Sequence, residues 1–313
     1  MAQNLVLHDP ESDAEAEILV SQGFNCHSLK LMAQGEPVEV LWSAPNFTEG
    51  NERPSGSGIP ILFPFPGRIP HAKYTWSGKE YALEAGDGRG NAIHGFVYNR
   101  PWQILEFEDT WAIAEFDSAE DDPTIAEHWP GSFRISARYE LCPDALEMQY
   151  TIANTGNVPL PFGFGVHPYF RLPLGSGTAA DCQVALPIAA EWELQDLLPT
   201  GERNSLRNAD LWQAGRPFGE LTLDNVYTKL ITELGSGRAT VRDPASGRSI
   251  HLEFDDVFRE LVVYTPGHRE AICIEPYTCL PGAIVYEFNN IDAGLSVLPV
   301  GDKVVARMAI SVE

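Results

Sequence analysis

The chain has 313 residues, of which 44% are hydrophobic, and this is enough apolar material for a large core in a soluble globular protein. Its 44 Asp and Glu residues outnumber 21 Lys and Arg residues, so the formal net charge at pH 7 is −23. Such a charge disfavours nucleic acids and anionic membrane surfaces as partners, and it fits a neutral substrate better than a phosphorylated one.

The amino-terminal segment MAQNLVLHDPESDAEAEILV has no basic stretch followed by an apolar run. No apolar stretch anywhere approaches ~18 residues, the length that a membrane-spanning helix needs. These features predict a cytoplasmic protein without a signal peptide or a membrane span. Five scattered cysteines without a C-x-x-C pair are typical of reduced core residues, and they are Cys26, Cys142, Cys182, Cys273 and Cys279.

Runs of alternating or β-branched residues at strand length recur along the whole chain, and helical periodicity is nearly absent. The predicted strands are residues 15–20, 28–32, 38–42, 102–108, 112–116, 133–141, 145–152, 161–166, 182–186, 226–232, 249–254, 261–264, 271–274 and 303–312. Turn residues bound these runs, and no change in composition marks a linker. The sequence therefore predicts an all-β protein, a large antiparallel β-sandwich that forms one domain over residues 1–313.

The stretch GFGVHPYF, residues 163–170, places a histidine at the abrupt end of a predicted strand. Pro168 restricts the backbone of His167 to extended geometry, and the two aromatic residues that follow supply apolar bulk around the imidazole. A strand end is where a rigid scaffold presents a side chain to a cavity. His167 is therefore a candidate functional residue, and a packed core histidine is the alternative interpretation.

A second strand end carries a carboxylate. In AICIEPYTCLPGA, residues 271–283, an apolar run leads directly into Glu275. Burial at the rim of the core would raise the pKa of this carboxyl group and suit it to act as a base.

Three further candidates lie on rigid or turning backbone. Arg68 follows the proline-rich run of GIPILFPFPGRIPHAKYTWSGKEY, so its guanidinium is suited to bind hydroxyl or carboxylate oxygens. His94 precedes a glycine and an aromatic residue in NAIHGFVYNRPW, and Asp224 leads into the strand of LDNVYTKL. Each also has a structural interpretation, which for Arg68 is an ion pair and for Asp224 a turn or a strand cap.

Several motifs are missing from the sequence. Phosphate loops, G-x-G-x-x-G, G-x-S-x-G and zinc-ligand spacings do not occur, so no cofactor is predicted. A metal site built from His94, His167 and Glu275 can be imagined, but the closely spaced histidines of common metal motifs are absent, and we predict no metal.

Five segments, taken together and in this order, resemble the aldose 1-epimerase (galactose mutarotase) family: GRIPHAKYTWSGKEY, IHGFVYNRPW, GFGVHPYF, LDNVY and CIEPYT. The resemblance extends from about Glu15 to the carboxyl terminus. It implies a galactose mutarotase-like supersandwich that interconverts the α and β anomers of a free aldose by opening and closing the ring, without a cofactor.

The same resemblance implies roles for the candidate residues. His167 corresponds to the general acid and Glu275 to the general base, while Arg68, His94 and Asp224 correspond to ligands of the sugar hydroxyls. For these roles the carboxylate must be ionised and the imidazole protonated, and we expect the neighbouring carboxylate to raise the pKa of His167 above ~6.5.

Three positions depart from the family's pattern. Many members have Asn before the arginine, where this chain has Gly67. The acid often follows Asn, whereas here it follows Val166, and the family's His-Gly-Gly is here His94-Gly95-Phe96. These changes bear on the choice of sugar and leave the acid and the base in place.

Other functions stay open at this point. A hexose-6-phosphate 1-epimerase would share the acid and the base but needs a cluster of cations, for which the motifs offer Arg68, Lys73 and Arg100. A non-catalytic carbohydrate-binding or sensor protein could use the same fold. A sandwich domain of a polysaccharide-degrading enzyme is disfavoured because no second catalytic domain is evident. The expected partner of the protein is a small-molecule sugar, and the protein is expected to be a monomer or a homodimer.

Overall fold

The computed structural model describes residues 4–289 and 291–313, and at position 288 the backbone alone. The first strands are β1 (Asn4–His8), β2 (Glu15–Leu19), β3 (Asn25–Ala33), β4 (Glu36–Glu39), β5 (Ile61–Leu62), β6 (Arg68–Ile69), β7 (Lys73–Trp76), β8 (Lys79–Ala82), β9 (Ala92–Ile93) and β10 (Gln103–Phe107). Then follow β11 (Trp111–Asp117), β12 (Phe133–Leu141), β13 (Ala145–Asn154), β14 (Leu160–Phe162), β15 (Gly165–Val166), β16 (Tyr169–Arg171), β17 (Gln183–Ala185), β18 (Ala190–Gln195), β19 (Leu198–Ser205) and β20 (Arg216–Pro217). The last are β21 (Asp224–Thr228), β22 (Thr232–Glu233), β23 (Ser236–Arg242), β24 (Ser249–Asp255), β25 (Glu260–Tyr264), β26 (Ala271–Tyr277), β27 (Ser296–Leu298) and β28 (Lys303–Val312).

Helices are few and short in the described part of the chain. The α-helices are α1 (Ile125–His128), α2 (Ala209–Ala214) and α3 (Ala283–Tyr286). Single turns of 3-10 helix lie at Phe47–Glu49, Pro70–Ala72, Val97–Asn99, Ala179–Asp181, Phe218–Glu220 and Glu287–Asn289. No helix of these ranges is long and apolar enough to cross a membrane.

A ten-stranded antiparallel sheet forms one layer, in the order β10-β11-β12-β13-β28-β24-β23-β17-β20 with β22 paired to β23. Its long strands alternate between buried and more exposed positions, because successive side chains point to opposite faces of a strand. The register is regular, so that β12 and β13 pair from Phe133 opposite Asn154 to Leu141 opposite Leu146.

An eight-stranded sheet forms the other layer, in the order β19-β18-β21-β25-β26-β15-β5 with β16 also paired to β26. The central strand β26 is buried at all seven positions, which is the pattern of a strand covered on both faces. Gly165 of β15 pairs with both Tyr277 and Leu62, so β15 lies between β26 and β5.

Aromatic side chains fill the space between the two layers. Phe164 is fully buried, and its ring lies 5.0 Å from that of Tyr150 in the ten-stranded sheet and 5.9 Å from that of Phe258. Burying such a side chain contributes roughly 1.5–3 kcal/mol to stability. A four-stranded sheet, β1-β2-β3-β4, and three two-stranded ladders complete the described sheets. The predicted antiparallel β-sandwich is confirmed.

One predicted strand is wrong in a way that matters for the site. Residues 161–166 do not form one strand, because β14 pairs with β27 whereas β15 pairs with β26 and β5. Between them the N–H of Gly163 donates to the carbonyl of Pro64, and the N–H of Phe164 donates to the hydroxyl of Thr278. The chain thus changes sheets three residues before His167. A local sequence pattern does not reveal such a crossing.

Candidate active site

His167 directly follows the last residue of β15 in the eight-stranded sheet, and it is buried. Its backbone N–H donates to the carbonyl of Pro60 at 3.0 Å, which holds the end of the strand in place. The ring of Tyr169 stacks on the imidazole with 4.8 Å between centroids and 5° between planes. The orientation of this buried imidazole is therefore set by its neighbours.

Glu275 projects from the middle of the fully buried strand β26, where it pairs with Val262 of β25. Its Oε1 lies 3.3 Å from Nε2 of His167, and its Oε2 accepts a hydrogen bond of 2.6 Å from the hydroxyl of Tyr277. Glu275 and Tyr277 are two residues apart on one strand, so their side chains share a face. The carboxyl group therefore lies between His167 on one side and Tyr277 on the other. Only 1% of Glu275 is exposed.

Burial governs the protonation of this pair. It raises the pKa of Glu275 well above the usual value, although the hydrogen bond from Tyr277 acts in the opposite direction. It also lowers the pKa of His167 to about 3, with Arg53 and Arg68 contributing in the same direction. The expectation that the neighbouring carboxylate raises the pKa of His167 is therefore wrong, because desolvation penalises the charged forms of both groups. Burial favours a neutral imidazole beside a protonated carboxyl group, a state in which the pair has one proton to transfer between the two side chains.

Arg68 begins β6, which pairs with β9 through Arg68 opposite Ile93. Its Nε lies 3.3 Å from a carboxylate oxygen of Asp87, which is buried, yet the geometry is not that of a hydrogen bond. Arg68 therefore takes part in an ion pair and also lines the pocket described below. Gly67 beside it has a φ of +68°, and a Cβ there would lie 2.7 Å from Pro281, so Pro281 occupies the space of a side chain at position 67.

His94 follows β9 with a φ of +69°, and its N–H donates to the carbonyl of Gly67 at 2.9 Å. A side chain at Gly95 would collide with the carbonyl of Phe63, so the turn after His94 depends on that glycine. The His94 ring lies 5.5 Å from the ring of His167. Burial keeps the pKa of His94 well below its usual range, and the neighbouring His167, Arg53 and Arg68 act in the same direction.

Asp224 is the first residue of β21 and pairs with Tyr264 of β25. Its N–H donates a hydrogen bond of 3.2 Å to the side-chain oxygen of Asn225. Burial raises the pKa of the Asp224 carboxyl group, and Arg68 and Arg89 act against that rise.

All five predicted site residues line a single pocket of about 370 Å³. This volume lies within the ordinary range for small-molecule sites. Among the residues that line this pocket, three buried nitrogens have no hydrogen-bond partner within the described residues, namely Nε of Arg68 and Nδ1 of both His94 and His167. A ligand that offers several donors and acceptors would satisfy them.

Sequence reasoning missed several residues of the site. The hydroxyl of Tyr277 could have been placed beside Glu275 from the two-residue spacing on a strand. Asp87 carries no sequence signal, because only the tertiary structure brings its loop to Arg68. The pocket is also lined by Trp42, Arg53, Tyr264 and His268 at its wider part.

Comparisons with known proteins agree with this architecture. The family model for aldose 1-epimerase matches residues 12–311. The uncharacterized protein YphB of Escherichia coli (strain K12) is 25% identical over an aligned length of 305 residues, and the match covers 91% of this chain and 96% of that protein.

Two solved structures share the fold. A galactose mutarotase-like protein from Clostridium acetobutylicum has a TM-score of 0.85 at 22% identity and covers 96% of this chain and 93% of its own. A galactose mutarotase-like protein from Lactobacillus casei has a TM-score of 0.78 at 19% identity and covers 99% of this chain and 100% of its own. With a family model that spans nearly the whole chain, this protein belongs to the aldose 1-epimerase family.

Proposed function

We propose that this protein is an aldose 1-epimerase that interconverts the α and β anomers of a free aldose, with His167 and Glu275 as the proton-transfer pair. One observation carries the proposal. Nε2 of the imidazole and Oε1 of the carboxyl group lie 3.3 Å apart in a pocket that also contains Arg68, His94 and Asp224. Membership of the family supports the same activity.

The reaction moves two protons and breaks one ring bond. A base takes the proton of the O1 hydroxyl and an acid protonates the ring oxygen, while the C1–O5 bond breaks and the C1–O1 double bond forms. Rotation about C1–C2 then presents the other face of the aldehyde to the O5 hydroxyl. Reclosure with the roles reversed gives the second anomer. Each positioned proton-transfer group contributes roughly 10²–10⁴ in rate.

A pair that holds one proton has the composition that this reaction needs, since one member must be the acid while the other is the base. In the neutral state favoured by burial, His167 is the base and Glu275 is the acid for ring opening. This assignment of acid and base is the reverse of the one that the family resemblance implies. The two groups titrate as a unit, so the pH dependence of activity belongs to the pair.

Arg68, His94 and Asp224 are assigned to the sugar hydroxyls. Nδ1 of His94 and Nδ1 of His167 have no hydrogen-bond partner among the described residues, and leaving such a buried group unsatisfied costs about 1–3 kcal/mol. Hydrogen bonds to a polyol would remove that cost and orient the ring between the two proton-transfer groups.

A hexose 6-phosphate is the second candidate substrate, because two guanidinium groups, those of Arg53 and Arg68, line the pocket. The other cations considered from the sequence do not converge there. Arg100 is paired with Asp122 at 2.6 Å, and Lys73 lines a different hollow. The net charge of −23 and the pairing of Arg68 with Asp87 favour the neutral sugar.

Polarimetry tests the proposal. Freshly dissolved α-glucose and α-galactose should mutarotate faster with the protein than without it. Sugar binding without any catalysed mutarotation would overturn the proposal in favour of a binding protein. A higher kcat/KM for glucose 6-phosphate than for either free sugar at physiological salt would instead establish the second candidate.

A further inference from the structure

The acid–base pair has a third neighbour that the reaction does not use. Cys273 lies on β26 two residues before Glu275, so both side chains leave the strand on the same face. A ring nitrogen of His167, Sγ of Cys273 and a carboxylate oxygen of Glu275 all lie within 4.8 Å of one another. All three residues are buried, and Cys273 is fully so.

We propose that His167, Cys273 and Glu275 form a site for a thiophilic divalent cation such as Zn²⁺, and that the cation inhibits the proton-transfer pair. The inhibition rests on the proposed function, whereas the binding does not. One nitrogen, one sulfur and one oxygen are ligand types that zinc takes in proteins, and three protein ligands leave a fourth position open.

The distances suit a tetrahedral ion. Two ligands at ~2.1 Å from one tetrahedral zinc are separated by about 3.4 Å, and Nε2 of His167 and Oε1 of Glu275 are 3.3 Å apart. The three ligand atoms lie within 4.8 Å of one another, whereas the ligand atoms around a bound zinc ion lie closer together than that. Small rotations of the side chains, Cys273 included, would bring the three atoms to binding distance.

The charges also balance. A bound divalent cation would take one thiolate, one carboxylate and one neutral imidazole as ligands, and the protons of the thiol and of the carboxyl group would leave as the ion binds. The complex then has no net charge, so it avoids the large cost of burying an uncompensated ion.

A cation held in this way blocks the chemistry directly. It takes the imidazole and carboxylate lone pairs that would otherwise carry the protons. His167 and Glu275 line the pocket, so the ion can enter by the route of the sugar. The expected behaviour is inhibition that involves the sulfur atom, which distinguishes this site from weak binding at the many surface carboxylates.

Cadmium, a spectroscopic substitute for zinc, gives a direct test. Titration of the full-length protein with Cd²⁺ should produce a sulfur-to-cadmium charge-transfer absorption in the ultraviolet at one ion per chain. Cys273→Ser keeps the side-chain volume, and it should lose the absorption, as should Cys273→Ala. Cys279→Ala is the matched control, since Cys279 is a buried cysteine outside the cluster, and it should keep the absorption.

Zinc inhibition of mutarotation provides the second readout. Cys273→Ser should need at least about tenfold more Zn²⁺ for half inhibition than the wild type or Cys279→Ala. The proposal is overturned if the wild type shows no absorption, if the Cys273 variants keep it, or if zinc inhibits them equally well. The absorption does not depend on turnover, so it can be read even if the protein proves to lack mutarotase activity.

Discussion

The two large sheets of this protein differ in regularity. The ten-stranded sheet has long strands with continuous registers and alternating burial, as in β12, β13 and β28. The eight-stranded sheet is built partly from two- and three-residue strands around a fully buried β26. Each break in its ladders frees a side chain or a backbone group. His167 and Glu275 lie at such a break, where β15 and β16 both pair with β26.

Both sheets also carry a hollow lined by charged residues, of about 330 Å³ on the ten-stranded sheet and about 370 Å³ on the other. In the first hollow most of the charged side chains are partly exposed, as where Arg138 lies 2.8 Å from the half-exposed Glu140, and burial raises the pKa of one of them, Asp255. In the second the ionisable pair is almost completely buried. Cavity size therefore does not distinguish a reactive site from a surface depression. Desolvation does, because it is what changes protonation.

The largest expected effect comes from removing the proton-transfer pair. Glu275→Gln and His167→Ala should each lower kcat for mutarotation by at least about 10², because each removes a group that transfers a proton. Polarimetry at saturating sugar measures this loss.

The matched controls lie on the ten-stranded sheet. Glu147→Gln changes a carboxylate of its hollow, and His251→Ala removes a buried histidine of β24. Both should keep the wild-type kcat. If Glu275→Gln or His167→Ala retains more than about a tenth of the wild-type rate, the substituted residue is not a proton-transfer group.

The next effect concerns stability. Glu260 of β25 is buried against Trp192, whose indole N–H donates to it at 2.9 Å, and burial raises the pKa of Glu260 from 4.5 to about 7. The folded protein then binds a proton more tightly than the unfolded chain does, so this group costs stability as pH rises from about 4.5 to 7. The cost reaches roughly 3 kcal/mol above pH 7.

Glu260→Gln should remove that dependence, since the amide accepts the same hydrogen bond and does not ionise. Urea unfolding from pH 4 to 8 should show the wild type losing stability relative to this variant as pH rises. Glu253→Gln, an exposed carboxylate on β24, should leave the wild-type dependence unchanged. Parallel curves for the wild type and Glu260→Gln would show that Glu260 does not titrate in this range.

The smallest expected effect tests which member of the pair, His167 or Glu275, is the acid. Tyr277→Phe removes the hydroxyl that donates to Glu275 and that holds its pKa down. We expect kcat to fall by about tenfold through loss of positioning. If Glu275 is the acid, the alkaline limb of the profile of kcat/KM against pH should move to higher pH, because the carboxyl group then keeps its proton longer.

Tyr150→Phe is the control, since Tyr150 is a buried tyrosine of β13 in the ten-stranded sheet. It should leave both the rate and the limb in place. An alkaline limb that stays unmoved in Tyr277→Phe would assign that limb to a group other than Glu275.

Much of the fold follows from local patterns in the sequence. Residues 133–141 and 303–312 alternate between apolar and polar side chains, and both strands form with the predicted bounds. Alternation is a local property, because one face of a strand in a sandwich packs on the core and the other faces solvent. Local sequence features also named Arg68, His94, His167, Asp224 and Glu275, from strand ends, a proline-rich run and a glycine-containing turn. Their roles, and the single domain over residues 1–313, stay predictions.

Tertiary structure alone decided how these residues meet and how they ionise. The split between β14 and β15 depends on Thr278 and Pro64, which are distant in the chain. The two-residue spacing along β26 puts Cys273 and Tyr277 on the same face as Glu275, whereas the packing of other strands around β26 removes these side chains from water. The protonation of His167 and Glu275 differs from the expectation for the same reason. Proximity of opposite charges can be guessed from a motif, whereas desolvation depends on every atom packed around the pair.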